Sequence, residues 1–590
     1  MKNENKMSSG FEEVRHQEPT PSERPGETGA GASLQQQVAK EFSRALRRAR
    51  KAAATGNPEL AVEWCRYAAS LAWGENPGFF YCHEMEQLLM EIGRKYFKPT
   101  SAAPPSVRRP QRFLHVMSTA YETGGHTRVV SCWIETCAQH APSEHHSILI
   151  SLQKGDPLPA WLGHSAQKTG GKIIVLPSGL TWLQTAAEVR SRSLEFDAII
   201  LHIHPNDPLP NLALYDQPRP ILFFRHADHV FNLGLDVARV VADIRPQGHA
   251  MSIHFCGKQS RKVMLPLPLL DGGMASCDKA EARKRLGLPL DNPTLLTIGS
   301  RLKFTPMEGY SFPTVIQSLC EANPQLHIVA VGLSELEPFP GLAQSMGGWF
   351  HPVGVVKDRE ILELYYRAAD IYLDAYPNSS LTAVLDAARH GLPVQRLFNR
   401  DRCLMWGSDL GLDSVMLGAS TQEEFIRKVL EWLEWPEERR SELGSRFRNA
   451  ILDDHCGASW KYKWLGPAIN ALISPREDPL DLRPDCLQDE ERGFPGLGKA
   501  GAESDWPAGM FVAGTILNTD HVPRPIRIHG VLHSIKPLLF NAGGDGMTRR
   551  RLSMFKMLVS SCMPDQVRTA MRRIWSSISE DLLNCRKSAN

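Results

Sequence analysis

Apolar and polar positions divide the chain into stretches of different period. Residues 1–33 are polar and low in aromatics, too poor in apolar side chains to offset chain entropy, which predicts a disordered tail. From Leu34 the pattern changes: Val38, Phe42 and Leu46 recur every four residues, Gly56-Asn57-Pro58 makes a turn, and Leu60, Val62, Trp64, Cys65, Ala69 and Leu71 resume the helical spacing. This predicts a short tetratricopeptide-like helical hairpin within 34–98, with a linker at 99–110 marked by Pro99, Pro104 and Pro105. One such unit cannot build a solenoid, so a packing role is the expectation.

Beyond the linker, short apolar runs alternate with helical segments, as in a sheet with crossover helices. The expected strands of the first half are Phe113–Met117, His146–Ser151, Lys172–Leu176, Ala198–His202 and Pro220–Phe224. Those of the second are Thr294–Ile298, Leu326–Val331, Asp370–Leu373 and Leu392–Val394, and Met264-Leu265-Pro266-Leu267-Pro268 is a stiff connector between the sets. The pattern predicts an α/β protein of two Rossmann-like domains, 111–268 and 269–475, facing each other across a cleft. Residues 476–590 turn Pro/Gly-rich and end in a basic amphipathic stretch around Arg549–Asp581 that carries no interpretable motif.

Composition narrows the function. The 590 residues hold 67 Lys+Arg against 65 Asp+Glu, so the formal charge of +2 demands no nucleic acid partner. The 12 cysteines are scattered without a Cys-x-x-Cys pair, which fits reduced thiols in the cytoplasm and neither a zinc site nor a disulfide framework. No apolar h-region opens the chain and no apolar run reaches the ~18 residues of a span. The expected location is cytoplasmic, with peripheral contact at the inner face of a membrane left open through the basic tail.

Three segments carry candidate chemistry. Gly124 and Gly125, in Tyr121-Glu122-Thr123-Gly124-Gly125-His126-Thr127-Arg128, sit where a strand gives way to a helix, so backbone can approach a ligand and the helix start offers free N–H groups. The segment is neither a Walker A loop nor Gly-x-Gly-x-x-Gly, which disfavours ATPase and dehydrogenase readings. Gly299-Ser300-Arg301-Leu302-Lys303 brings Arg301 and Lys303 to a strand end, one a bidentate fork and the other a mobile point charge, suited to a diphosphate. In Asp374-Ala375-Tyr376-Pro377-Asn378-Ser379-Ser380-Leu381-Thr382, a strand runs into a loop whose hydroxyls are expected to cap the next helix and meet an anion. Asp386, about two turns into that helix, lies at a reach suited to a ribose.

Taken together, the Gly-Gly turn, the basic turn and the segment ending Asp386-Ala387-Ala388-Arg389-His390-Gly391-Leu392-Pro393-Val394 resemble GT-B glycosyltransferases that use nucleotide sugars, over about Phe113 to Leu472. Gly124-Gly125 and Asp386 are similar to the family-four retaining enzymes. The stretches Leu373–Thr382 and Ser300–Pro306 are closer to the O-GlcNAc-transferase-like family, whose members carry tetratricopeptide helices in front. The resemblance implies Lys303 on the diphosphate, Ser379, Ser380 and Thr382 at the phosphate-facing helix start, and Asp386 on the ribose, with Asn378 also in the donor-binding set. The family-four enzymes usually have a glutamate eight positions before the ribose acid, where this chain has Asn378. Inverting and retaining outcomes therefore both stay open.

His226, in Phe224-Arg225-His226-Ala227-Asp228-His229, is the candidate catalytic base or leaving-group partner at the cleft mouth. His202 and His204 alternate along a strand and would share a face, but no third metal ligand is evident. His145-His146 is expected at the surface. The leading function is transfer of a hexosyl or N-acetylhexosaminyl group from a nucleoside diphosphate donor, a UDP-sugar favoured, to a hydroxyl of a glycan, lipid-linked glycan or protein, without cofactor or metal. A nucleotide-sugar epimerase and a degenerate scaffold protein remain alternatives.

Overall fold

The computed structural model describes residues 29–75, 77–100, 109–256, 260–271, 277–304, 309–334, 349–398 and 407–474. Residues 1–28 of the expected tail, 101–108 of the linker and the whole of 476–590 lie outside the described residues.

The first half forms a seven-stranded parallel sheet from β1 (Arg112–Met117), β2 (His145–Ile150), β3 (Ile173–Val175), β4 (Ala198–His202), β5 (Ile221–Arg225), β6 (Val240–Asp243) and β7 (Arg261–Met264), in the order β3-β2-β1-β4-β5-β6-β7. The second half forms a five-stranded parallel sheet from β8 (Thr294–Ile298), β9 (His327–Val331), β10 (Phe350–Gly354), β11 (Ile371–Leu373) and β12 (Val394–Gln395), in the order β10-β9-β8-β11-β12. β4, β5 and β6 are buried along their whole length, as expected where helices cover both faces of a parallel sheet. This is the two-sheet GT-B architecture. In each sheet the strand order reverses at one place, between β1 and β4 and between β8 and β11. In open α/β sheets ligands bind outside the strand carboxyl ends at such a reversal, and the three chemistry-bearing segments leave β1, β8 and β11 there.

β6, β7 and β10 were not among the expected strands. β6 has four residues, β7 reads Arg-Lys-Val-Met and lies half-buried at an edge, and β10 is an edge strand carrying Pro352 and Gly354. Such edges lack the apolar alternation that marks a strand in sequence.

Ahead of the sheets stand α1 (Gly29–Ala54), α2 (Pro58–Glu75) and α3 (His83–Tyr96). Helix therefore begins at Gly29 rather than Leu34, and a third helix follows the expected pair. These helices share one apolar core with the first sheet: Val38, Phe42, Trp64 and Leu71 join Leu114, Val116, Leu201 and Phe223. The buried Glu86 of α3 accepts from Asn211 Nδ2 at 2.8 Å and from the backbone N–H groups of Leu235 and Asp236 at 3.1 and 2.6 Å.

A second apolar cluster runs from Phe113 and Trp133 through Leu265 and Leu267 of the connector and Leu269 just after it into the second sheet. Residues 457–474, expected with the second domain, return to the first sheet. Trp460 Nε1 donates to the Pro266 carbonyl at 2.6 Å and its ring meets Trp133 at 5.3 Å, while Tyr462 Oη donates to the His140 carbonyl at 2.9 Å. Among the described residues no helix is long and apolar enough to cross a membrane.

Candidate functional site

On the second sheet, Asp374 at the end of β11 organises the loop. Its Oδ1 accepts from the backbone N–H groups of Ala375 and Ser380 and from Ser380 Oγ, at 2.8, 2.8 and 2.7 Å, and its Oδ2 accepts from Ser379 Oγ at 2.6 Å. The serine hydroxyls thus spend their hydrogens on Asp374. They do not cap the next helix, which corrects the capping expectation: the helix's N-cap position falls on Leu381, which has no side-chain acceptor, and Ser379 Oγ accepts only the Leu381 N–H at 3.3 Å. The helix, α5 (Thr382–Arg389 when α4 is Gly125–His140), starts after Leu381, whose φ of +53° is rare for a branched residue.

Lys303 lies in a tight 3-10 turn, Arg301–Phe304, beside this loop. Its Nζ donates to the Ser379 carbonyl at 2.8 Å and its own carbonyl accepts from the Asn378 N–H at 3.1 Å. Burial pulls its ammonium below the usual range, with Asp374 opposing. The ammonium is desolvated and hydrogen-bonded to a neutral carbonyl. The structure thus brings Lys303, Asn378, Ser379 and Ser380 together, with Arg301 in the same turn.

On the first sheet the cleft is lined by imidazoles. His126, in the first turn of α4, donates from Nε2 to the His202 carbonyl at 2.9 Å, so its Nδ1 carries the lone pair, and that atom is buried with no partner. The His226 ring sits 4.4 Å from that of His126, and its Nδ1 is likewise buried without a partner. Burial, reinforced by His126, His204 and His202, holds His226 well below its ordinary value, which leaves it neutral at physiological pH. Burial brings His126 down to about 4 against the opposing hydrogen bond to the His202 carbonyl. Asp228 does not serve His226: both its oxygens take the Arg245 guanidinium, at 2.7 and 2.9 Å, and His229 adds a contact at 3.2 Å.

The other histidines divide differently from the expectation. β4 ends at His202, so the alternation does not extend to His204, which meets Thr119 Oγ1 at 3.2 Å and lies parallel to the Tyr121 ring. His202 turns inward to His115 Nδ1 at 3.0 Å, and His115 Nε2 meets His146 Nδ1 at 2.9 Å. His146 is therefore buried, not surface, because β2 is an interior strand covered from its second residue on, where His146 stacks on Phe113, while His145 at the strand's start faces out. Beyond it, Cys137, Glu144 and His146 hold possible metal-ligand atoms within 4.8 Å of one another, but the Lys461 ammonium already sits on Glu144 and 3.4 Å from Cys137 Sγ. That donor set is a buried salt bridge. Burial works against the Glu144 charge, yet His146 and Lys461 together hold the carboxyl down to about 2.

The two halves touch at the site itself. Gly124 takes φ +116°, a conformation that suits glycine, and a Cβ on Gly125 would stand 2.8 Å from Thr382 Cγ2. One turn further along each helix, the Arg128 guanidinium engages both Asp386 oxygens, one of the two contacts at 2.9 Å. Burial opposes the Asp386 charge, but Arg128, with Arg389 and His390, keeps the carboxyl below its ordinary range. Asp386 thus faces the cleft side expected of it, but with its oxygens committed to Arg128. Sequence reasoning passed over Asp374, His126 and Arg128 as site members. His126 and Arg128 stand in the Gly-Gly segment and Asp374 at a strand end, so position was a signal, but the partners of His126 and Arg128 lie 76 and 258 positions along the chain.

The fold and the cleft between two parallel sheets define the class as a GT-B α/β protein. No family model matches the chain, and no curated protein matches it. Among solved structures the chain is similar to an O-GlcNAc transferase of Thermobaculum terrenum, at 17% identity and TM-score 0.47, with 75% of this chain and 87% of that one covered. It is also similar to Anabaena HepE in complex with UDP and glucose, at 13% identity and TM-score 0.47, over 61% of this chain and 100% of that one. A sucrose-phosphate synthase of Thermosynechococcus elongatus matches at 17% identity and TM-score 0.45, over 62% of this chain and 99% of that one.

Proposed function

We propose that the protein is a glycosyltransferase that moves a hexosyl or N-acetylhexosaminyl group from a nucleoside diphosphate donor, a UDP-sugar, to an acceptor hydroxyl in glycan or glycoconjugate synthesis. The observation that carries this reading is that Lys303 is bonded to the 378–380 loop leading into α5, whose first residue Thr382 meets Gly125 beside His126, with the unpartnered nitrogens of His126 and His226 on the first sheet's side. Lys303, Arg301 and the N–H groups opening α5 would hold the diphosphate and stabilise it as the leaving group. Asp386 would accept from the ribose hydroxyls. His226, neutral and beside His126, would take the proton from the acceptor hydroxyl as the bond to the sugar forms and the bond to the diphosphate breaks.

Screening nucleotide sugars by thermal shift identifies the donor, and Lys303→Ala tests the site. That variant should weaken binding of the matching nucleoside diphosphate by about 1.5–3 kcal/mol, the range for a hydrogen bond to a charged group. Unchanged affinity by calorimetry removes Lys303 from the donor site.

A further inference from the structure

We propose that the Arg128–Asp386 ion pair is a latch that holds the nucleoside end of the cleft shut, so that a nucleoside diphosphate enters only as the two sheets part and Arg128 releases Asp386. The inference rests on the donor-site reading above. Arg128 belongs to the first sheet's α4 and Asp386 to the second sheet's α5, so the pair spans the cleft rather than bracing one wall. The guanidinium takes both carboxylate oxygens, and the Asp386 side chain retains 3% of its surface, too little for a ribose hydroxyl to reach. The Arg128 side chain keeps 29% of its surface, so solvent reaches the arginine side of the pair. One turn back, a Cβ on Gly125 would stand 2.8 Å from Thr382 Cγ2, so the two helix starts approach closely there as well.

Opening the latch does not strand Asp386. The Arg389 guanidinium stands 3.5 Å from its Oδ1 on the same helix, so the carboxylate stays charged while its lone pairs become available. Residues that a donor would need are the same ones that hold the cleft shut. Apparent affinity is then the intrinsic affinity scaled by the fraction of open molecules, and Arg128 sets that fraction.

The test uses the full chain with UDP and GDP as probes. Binding is followed by calorimetry, and the size of the unliganded protein by small-angle scattering, for wild type, Arg128→Gln and Arg128→Lys. Arg128→Gln should expand the unliganded protein and tighten binding of the preferred nucleotide by about 5-fold or more, as expected when a minor open state becomes dominant. Arg128→Lys keeps the charge but loses the fork, should fall between, and carries both readouts if the glutamine variant does not fold. Weaker or unchanged nucleotide binding in the variants overturns the latch, since Arg128 would then hold the ligand or do nothing to it. If neither nucleotide binds any of the proteins, the donor reading fails and scattering decides the latch alone: expansion supports it and an unchanged radius overturns it.

Discussion

His226 and His126 are two imidazoles whose Nδ1 atoms lie buried without a protein partner. Leaving a buried polar atom unpaired costs about 1–3 kcal/mol, so such atoms gather where a ligand will pair them. Burial keeps both rings neutral, which a base requires before it can accept a proton. His226→Ala should therefore lower turnover by ~100-fold or more while donor affinity changes little. Steady-state kinetics beside a donor titration separates the two effects, and an equal loss in both would make His226 a binding or structural residue.

At the scale of the element, the loop between β11 and α5 is held by one carboxylate. Asp374 receives two hydroxyls and two backbone N–H groups from residues 375–380, and the loop's Ser379 carbonyl in turn fixes Lys303. Replacing Asp374 by Ala leaves buried donors unpaired and should cost about 3 kcal/mol of stability. It should also weaken nucleotide binding, because Lys303 and the loop lose their common anchor. Chemical denaturation paired with a UDP titration checks both, and a destabilised variant with wild-type affinity would uncouple the loop from the donor.

At the scale of the whole molecule, the chain closes on itself where α6 (Glu437–His455) ends against the connector. His455 Nδ1 donates to the Leu267 carbonyl at 2.7 Å and Nε2 meets Asp409 at 3.0 Å. Burial lowers the imidazole, but the Asp409 charge and both hydrogen bonds outweigh it and raise His455 above its ordinary value of 6.5. The folded state thus binds this proton more tightly than the unfolded chain does. The stabilisation is complete below about pH 6.5 and is lost as pH rises through the folded-state value. Thermal melts of wild type should fall over that alkaline side relative to His455→Gln, and parallel profiles would assign the join to packing alone. Nearby, Trp460 fills the junction between the returning segment and α4, and Trp460→Ala should destabilise the protein by about 3–5 kcal/mol by denaturation.

The alternation of apolar runs with helical segments determined the two-sheet class, because strands covered on both faces must be apolar throughout. Gly124-Gly125, Arg301 with Lys303, and Asn378–Thr382 were legible as candidates because each follows such a run. Edge strands β7 and β10 were not, since half-buried edges tolerate Arg, Lys and Pro. The tertiary structure alone decided that Ser379 and Ser380 serve Asp374, that His146 is buried against His115, and that Asp386 meets Arg128 across 258 positions of chain. The physical reason is common to all three. A side chain's type and local spacing are written in sequence, but a charged or hydrogen-bonding group takes the partner that folding brings closest, whether that is a loop neighbour five positions on, an adjacent strand, or a helix of the other sheet 258 positions away.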